Sequence, residues 1–253
     1  MPLEPRTRKR TSAARSLDLP PPFRAVALRE VGDAFAHAMR VAPGEGAGTL
    51  VHVGRFDLAE FAVVLEPDEP LSTARRTLYM GLAALADTLA AHAPPEKPIG
   101  ILWPDAILVD GGLVGGGRLG WPEGAKEDAP PDWLVFAGMI RMVSLDGHEG
   151  GLLPLAAALE DEGFADFGAD RLIESFARHL MAAVDAWQQG GFAAVAKGYL
   201  MRLAPEKGAR RSIDDNGDLV LHRAGAGTVE RRSLVSALAQ PSWLDPATGG
   251  PCR

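Results

Sequence analysis

Apolar residues recur at helical spacing in three segments of the chain. The pattern predicts helices over residues 30–41, 72–92 and 169–189. Ser72 is a favoured N-cap for the second helix, because its hydroxyl can accept a hydrogen bond from a free N–H of the first turn. Gly190-Gly191 is a typical C-terminal stop for the third helix. We therefore expect one shorter and two long helices.

Between the helices, short runs rich in β-branched and aromatic residues predict β-strands. They cover residues 49–54, 61–65, 99–103 and 133–145. A hairpin is expected after the third strand. Asp110-Gly111 favours the positive φ angles of a tight turn, so residues 113–114 should return antiparallel to residues 107–109. The continuous apolar pattern of residues 133–145 indicates a central strand.

The pattern changes after residue 198. Short strand-like runs at residues 199–203 and 219–222 flank a turn at residues 214–217, where Asn-Gly is a strong hairpin signal. We predict a disordered basic and Pro-rich tail (1–22), a main domain (23–197) and a small β-rich C-terminal cap domain (198–253) with a disordered end. Strands and helices are interspersed with hairpins, and the βαβ alternation of a parallel sheet is not seen. The predicted fold class is therefore α+β, with a mixed β-sheet packed against helices.

Composition and charge exclude several functions. A net charge of −7 over 253 residues argues against a nucleic-acid partner. No run approaches the roughly 18 apolar residues that cross a membrane. Cys252 is the only cysteine, which excludes an internal disulfide, a thiolate zinc site and a core cysteine nucleophile, and favours the cytoplasm. The histidines lack the spacing of metal ligands, so we expect no metal site.

Residues 101–117 contain the most informative motif. A buried strand ends at Leu102-Trp103-Pro104-Asp105-Ala106, and the hairpin leads to Leu113-Val114-Gly115-Gly116. These two pieces, at this spacing and after a long helix, resemble motifs of the biotin/lipoate A/B protein ligase family. The similarity extends over residues 23–235. It implies a class II synthetase-like domain that activates biotin or lipoate with ATP and Mg²⁺. The acyl group would then pass to a lysine of a biotinyl or lipoyl carrier domain.

The motif also departs from the family at its charged positions. Leu102 and Leu113 stand where the family has lysines, and Asp105 and Ala106 replace its Asn-Asp pair. A fixed cation offsets the negative charge that adenylation builds, and losing one such group typically costs on the order of 10²–10³ in rate. Two functions therefore remain open: a ligase of this family, or a non-catalytic module of the same fold that binds a small acid or a carrier domain.

Two arginines are candidates to replace the missing lysines. Arg118 follows the triple glycine, and Arg55 follows the strand that in the family leads into the nucleotide loop. Either guanidinium can bind phosphate or carboxylate through two parallel hydrogen bonds. The alternative for both is a solvated surface arginine.

The remaining candidate site residues surround the same hairpin. Gly115, Gly116 and Gly117 predict a floor without side chains, against which a ligand can lie flat, or else a bulged turn. Trp103 is either the wall of an acyl pocket or a core tryptophan. Asp105 is either a carboxylate that orients the ligand or a turn residue after proline.

Overall fold

A seven-stranded mixed sheet forms the centre of the protein. The computed structural model describes residues 16–145, 156–223 and 227–252. The strands run in the order β1-β2-β3-β7-β6-β5-β4, with β1 parallel to β2 and every other pair antiparallel. Their bounds are β1 (Arg24–Leu28), β2 (Thr49–Val53), β3 (Leu58–Leu65), β4 (Ile99–Leu102), β5 (Ala106–Val109), β6 (Gly112–Gly120) and β7 (Leu134–Arg141). The predicted α+β class and the central position of β7 are confirmed.

The two faces of this sheet are covered differently. The helices are α1 (Ala34–Glu45), α2 (Leu71–Ala74), α3 (Thr77–His92), α4 (Ala169–Arg202) and α5 (Leu234–Leu238). Helices α3 and α4 pack on one face around buried aromatic residues such as Phe61, Phe136 and Phe176. On the other face, α1 packs its alanines mainly against β2, β3 and β7. The half of this face that α1 leaves uncovered contains the candidate site.

The beginning of the second helix differs from the prediction. Ser72 does not cap a long helix but lies within the short helix α2. Carbonyl groups of the loop between β6 and β7 satisfy the first turn instead: Leu71 N–H donates to Ala129 O at 3.0 Å, and Ser72 N–H donates to Glu127 O at 3.1 Å. Because a distant loop supplies these acceptors, no side-chain cap is needed. The long helix α3 starts only at Thr77.

The predicted strand at residues 199–203 is wrong, since helix α4 continues to Arg202. Gly190-Gly191 does interrupt the helix, with Gly191 at φ 65°, but the chain resumes helical geometry directly afterwards. This second half is held by Tyr199, whose ring lies 4.5 Å from that of Tyr79 on α3 and whose hydroxyl donates to Pro104 O at 2.9 Å. Burial of Tyr199 against α3 therefore overrides the local strand-like pattern.

The predicted hairpin between β5 and β6 is confirmed. Asp110 and Gly111 have φ angles of 49° and 85°, and the two strands pair antiparallel around them. Strand β6 is longer than expected and includes Gly115 to Arg118, which pair with β7. The triple glycine is thus part of a central strand rather than a loop.

The C-terminal part forms a second, three-stranded antiparallel sheet. Its strands are β8 (Ala209–Ile213), β9 (Leu219–Arg223) and β10 (Val229–Arg232). The chain then returns to the large sheet, where Trp243 is 1% exposed. The end expected to be disordered is packed in its described part because it buries this indole. The predicted tail falls largely on residues 1–15, which lie outside the described residues. The domain boundaries remain a prediction.

Neither a membrane-spanning helix nor a cluster of metal-binding side chains occurs among the described residues. None of the helices there is long and apolar enough to cross a membrane. No group of three or more His, Cys, Asp or Glu side chains in that part of the chain is placed to hold a metal ion.

Candidate functional site

One row of residues crosses the uncovered half of the sheet. Glu60 on β3 lies beside Met139 on β7, then Gly116 on β6 and Ala106 on β5. The indole of Trp243 packs on this row, with Leu58, Ala106 and Met139 in the same buried cluster. We call the space filled by this indole the indole pocket. At its inner end, Phe35, Glu60 and Arg118 line a small void together with the indole itself.

A second cavity adjoins the indole pocket at Ser242. It has a volume of about 450 Å³ and lies between the β4–β6 edge of the large sheet and the C-terminal part of the chain. We call it the groove, and the groove and indole pocket together the cleft. The groove is predominantly apolar and is lined by Leu102, Trp103, Ala106, Leu108, Gly111, Leu113, Leu203, Ala204, Pro205, Glu206, Leu219, Arg232 and Ser242.

The glycines of β6 have different roles. A Cβ on Gly116 would lie 2.3 Å from Cδ1 of Trp243 and 2.2 Å from the carbonyl oxygen of Asp105, so only glycine allows the indole to approach the strand this closely. Gly115 has φ 151°, and its Cβ would meet the carbonyl of Met139. Gly117 faces the other side of the sheet, where Phe136 occupies the space. Among the three, Gly116 is the floor of the cleft.

Asp105 is a fully buried carboxylate at the junction of the indole pocket and the groove. It accepts hydrogen bonds from the Ser242 hydroxyl at 2.6 Å and from the Ser242 N–H at 3.1 Å. Its own carbonyl accepts from Gly117 N–H at 2.9 Å. Burial raises the pKa of Asp105 to about 6, against the opposing effect of the bonds from Ser242. Asp105 therefore binds the C-terminal segment of this chain.

Trp103 lies between the hydrophobic core and the groove. Its indole is half-buried and packs against the core below α3 and α4, while one side lines the groove. The indole N–H donates to the Tyr79 hydroxyl at 3.1 Å, and that hydroxyl donates to Gly217 O at 2.5 Å. The ring is consequently fixed in orientation by a short chain of hydrogen bonds.

The two candidate arginines already have partners. Arg55 donates to both carboxylate oxygens of Asp57, at 2.9 and 2.6 Å. Arg118 lies 4.1 Å from the ring centroid of Phe35 and 3.3 Å from Asp33 Oδ1. Only Arg118 lines the indole pocket, where its side chain is 20% exposed. The structure thus brings Arg118 into the cleft, while Arg55 is held by Asp57.

Glu60 is a second charged group at the inner end of the indole pocket. It is buried and accepts a hydrogen bond from Ala34 N–H, at the start of α1, at 2.8 Å. Burial raises the pKa of Glu60, while the Ala34 N–H lowers it. Burial likewise lowers the pKa of Arg118, against the attraction of Asp33 and Glu60. An acidic and a basic group therefore stand together behind the indole.

The side chains at the two lysine positions of the family motif are apolar and line the groove. Leu102 is 45% exposed, and Leu113 is partly buried beside Trp243. In the part of the chain that the structure describes, no lysine is among the groove-lining residues. The groove therefore offers apolar surface where the resemblance would lead one to expect cations.

Sequence reasoning missed three residues of this site: Glu60, Ser242 and Trp243. Glu60 interrupts an otherwise apolar strand, which is a signal that a charged group faces a special environment. Trp243 follows Pro-Ser in a polar terminal stretch, where a large aromatic residue is unusual for a disordered tail. No local pattern indicates which surface these residues contact.

Comparisons with known proteins agree with this architecture. The model of the family described as "Biotin/lipoate A/B protein ligase family" matches residues 19–201. A biotin protein ligase-like protein of unknown function from Silicibacter sp. TM1040 is 28% identical, covering 89% of this chain and 100% of its own, with a TM-score of 0.76.

More distant solved structures share the fold. The biotin protein ligase of Aquifex aeolicus in complex with biotin and ATP is 13% identical, covers 82% of this chain and 94% of its own, and has a TM-score of 0.63. That of Leishmania major in complex with biotinyl-5-AMP is 18% identical, covers 85% and 99%, and has a TM-score of 0.52. Comparison with curated protein sequences gives no match.

Proposed function

The chain belongs to the biotin/lipoate A/B protein ligase family, and we propose that it is an acid-binding module of this fold. In this proposal the cleft binds a small carboxylic acid of the biotin or lipoate class and does not activate it with ATP. The apolar groove would contact the carbon chain of the acid. We assign Arg118 to the carboxylate of the acid, because Arg118 lies at the inner end of the indole pocket, at the opposite end of the cleft from the groove. We expect the protein to work in the cytoplasm.

The apolar character of Leu102 and Leu113 supports this proposal over catalysis. Adenylation needs fixed cations near the phosphate and carboxylate oxygens in a site that excludes water. At both positions the groove presents a leucine, and Arg55 is already bound to Asp57 through two bonds. The residues present therefore fit the apolar part of an acid but do not fit the phosphates of ATP with Mg²⁺.

A second candidate function is ATP-dependent activation of biotin or lipoate, followed by transfer to a lysine of a carrier domain. It is favoured by Arg118, a cation within the cleft, and by the Aquifex aeolicus ligase, which shares the fold and was solved with biotin and ATP. In this version Arg118 would replace a lysine of the family motif.

Titration calorimetry of the full chain with biotin and with lipoate, each with and without ATP and Mg²⁺, separates the candidates. An assay for pyrophosphate and acyl-adenylate accompanies it. The proposal predicts acid binding that ATP does not strengthen, and no pyrophosphate. Pyrophosphate release that depends on the acid would favour the ligase instead.

Arg118→Ala tests the assignment of the carboxylate partner. We expect at least tenfold weaker acid binding in this variant, since a charge-assisted bond is lost. Arg40→Ala removes an exposed arginine on α1 and serves as the control. Equal affinity of both variants for the acid would remove Arg118 from the site.

A further inference from the structure

The segment of residues 240–252, which we call the C-terminal segment, contacts the large sheet and its connections at three places. The indole of Trp243 lies on Gly116, and its N–H donates to the carbonyl of Gly117 at 3.0 Å. Ser242 binds Asp105 through its hydroxyl and its N–H. At the far end, Arg141 on β7 donates to the carbonyls of residues 251 and 252, at 2.7 and 3.1 Å. The partners of the segment in these contacts all belong to the large sheet or to its connections.

The C-terminal segment is closed on itself. Cys252 N–H donates to Trp243 O at 2.7 Å, and Asp245 N–H donates to Gly250 O at 2.9 Å. These bonds join its two ends into a compact loop. Such a loop can enter or leave the cleft as a unit, because most of its internal bonds do not depend on the sheet.

Few of its residues are buried against the protein. Only Trp243 and Pro251 are buried, while residues 246–249 are exposed. A segment held by one large anchor and a few polar contacts opens at a lower free energy than a core element. The attachment of the segment therefore depends chiefly on the indole of Trp243.

The segment occupies the surface that a ligand of the cleft would use. Trp243 lines one small void together with Arg118 and Glu60, so its indole stands against the charged end of the indole pocket. Ser242 forms part of the wall of the groove. Removing the segment would join groove and pocket into one cleft extending from Leu102 to Arg118.

From these contacts we infer that the C-terminal segment is a removable occupant of the cleft. It competes with the acid for the floor at Gly116; this part rests on the proposed function. The apparent dissociation constant for the acid then equals the intrinsic constant divided by the fraction of molecules whose segment is released. The burial that raises the pKa of Asp105 accords with a closed state that excludes water from this carboxylate.

Hydrogen exchange of the full chain tests the release without any ligand. Trp243→Ala removes the anchor, and we expect exchange of the amides of residues 242–252 to accelerate ~100-fold. Thr248→Ala lies in the same segment, where the hydroxyl it removes bonds within the loop to Asp245 and Gly250, and it should leave the rates of the Ser242 and Cys252 amides unchanged. A milder variant, Ser242→Ala, removes one hydroxyl bond to Asp105 and should accelerate exchange ~10-fold. Rates in Trp243→Ala and Ser242→Ala that equal those of the unaltered chain would overturn the inference.

Competition then tests occupancy. A synthetic peptide of residues 240–252 should bind the full-length Trp243→Ala protein, and the same peptide carrying Trp243→Ala should not. Biotin or lipoate should bind Trp243→Ala at least tenfold more tightly than the unaltered chain and should be displaced by the peptide. If either acid binds both proteins equally, the inference that the segment occupies the acid site is overturned, while the proposed function stands. If the peptide binds but neither acid binds either protein, the removable segment is supported and the proposed function falls.

Discussion

Replacing Asp105 by asparagine should remove a pH-dependent cost from the folded state. Asp105 is fully buried. Within the described residues, Ser242 is the one residue whose side chain donates a hydrogen bond to its carboxylate. Asn has the same shape and retains an oxygen that can accept from Ser242. The substitution therefore changes the charge of the group while preserving its packing and its main contact.

The magnitude follows from the pKa of Asp105, which burial raises from the ordinary 3.8 to about 6. Between these two values the folded chain keeps the proton that the unfolded chain has lost, so the free energy of unfolding falls as the pH rises. At 1.36 kcal/mol per pKa unit, the loss through this group reaches about 3 kcal/mol by pH 7. Below about pH 3 both states are protonated and the cost is absent.

Urea denaturation of the unaltered chain and of Asp105→Asn, at pH values from 3 to 7, measures this effect. The stability of the variant relative to the unaltered chain should increase by about 3 kcal/mol across the range, most steeply between the two pKa values. Asp132→Asn removes an exposed carboxylate and is the control, with a difference that stays constant. A constant difference for Asp105→Asn as well would refute the argument that this carboxyl is buried and charged at neutral pH.

Two further predictions concern the packing around the cleft. Gly116→Ala places a Cβ 2.3 Å from the indole of Trp243 and should lower the free energy of unfolding by roughly 1–3 kcal/mol. Gly198→Ala, in open space on helix α4, should raise the free energy of unfolding by about 0.5–1 kcal/mol. Thermal and urea unfolding measure both variants. Equal effects of the two substitutions would contradict the close approach of the indole to Gly116. Tyr79→Phe leaves the indole N–H of Trp103 and the carbonyl of Gly217 without their partner, and should cost roughly 1–3 kcal/mol. Unchanged stability in urea would show that water replaces the hydroxyl.

Elements determined by neighbouring residues are predictable from the sequence. The Asp110-Gly111 turn is an example, because two consecutive positive φ angles are a local requirement that this pair meets. The central strand β7 is another, since its unbroken apolar run suits a strand covered on both faces. The long helix α3 belongs to the same group, apart from its first turn.

Elements determined by distant contacts are not predictable in this way. Tyr199 is helical because its ring packs on Tyr79, and nothing near residues 199–203 indicates that contact. The first turn of α2 is satisfied by carbonyls more than fifty positions later, which makes Ser72 dispensable as a cap.

The same distinction applies to the cleft. The motif of residues 102–117 correctly marks the hairpin and its glycines as the place where one wall forms. The residues that occupy the cleft are distant in sequence from their partners. Trp243 is 126 positions from Gly117, and Ser242 is 137 positions from Asp105. A single sequence contains no pattern that pairs residues over such separations. The role of Gly116 as the floor, in preference to its two neighbours, likewise depends on the register of β6 against β7.

The central claim is that this family member binds an acid in a cleft that its own C-terminal segment occupies. Titration of the full chain and of Trp243→Ala with biotin and with lipoate tests it most directly. The account predicts that at least one acid binds, at least tenfold more tightly to the variant. Absence of binding by either acid to either protein would contradict it.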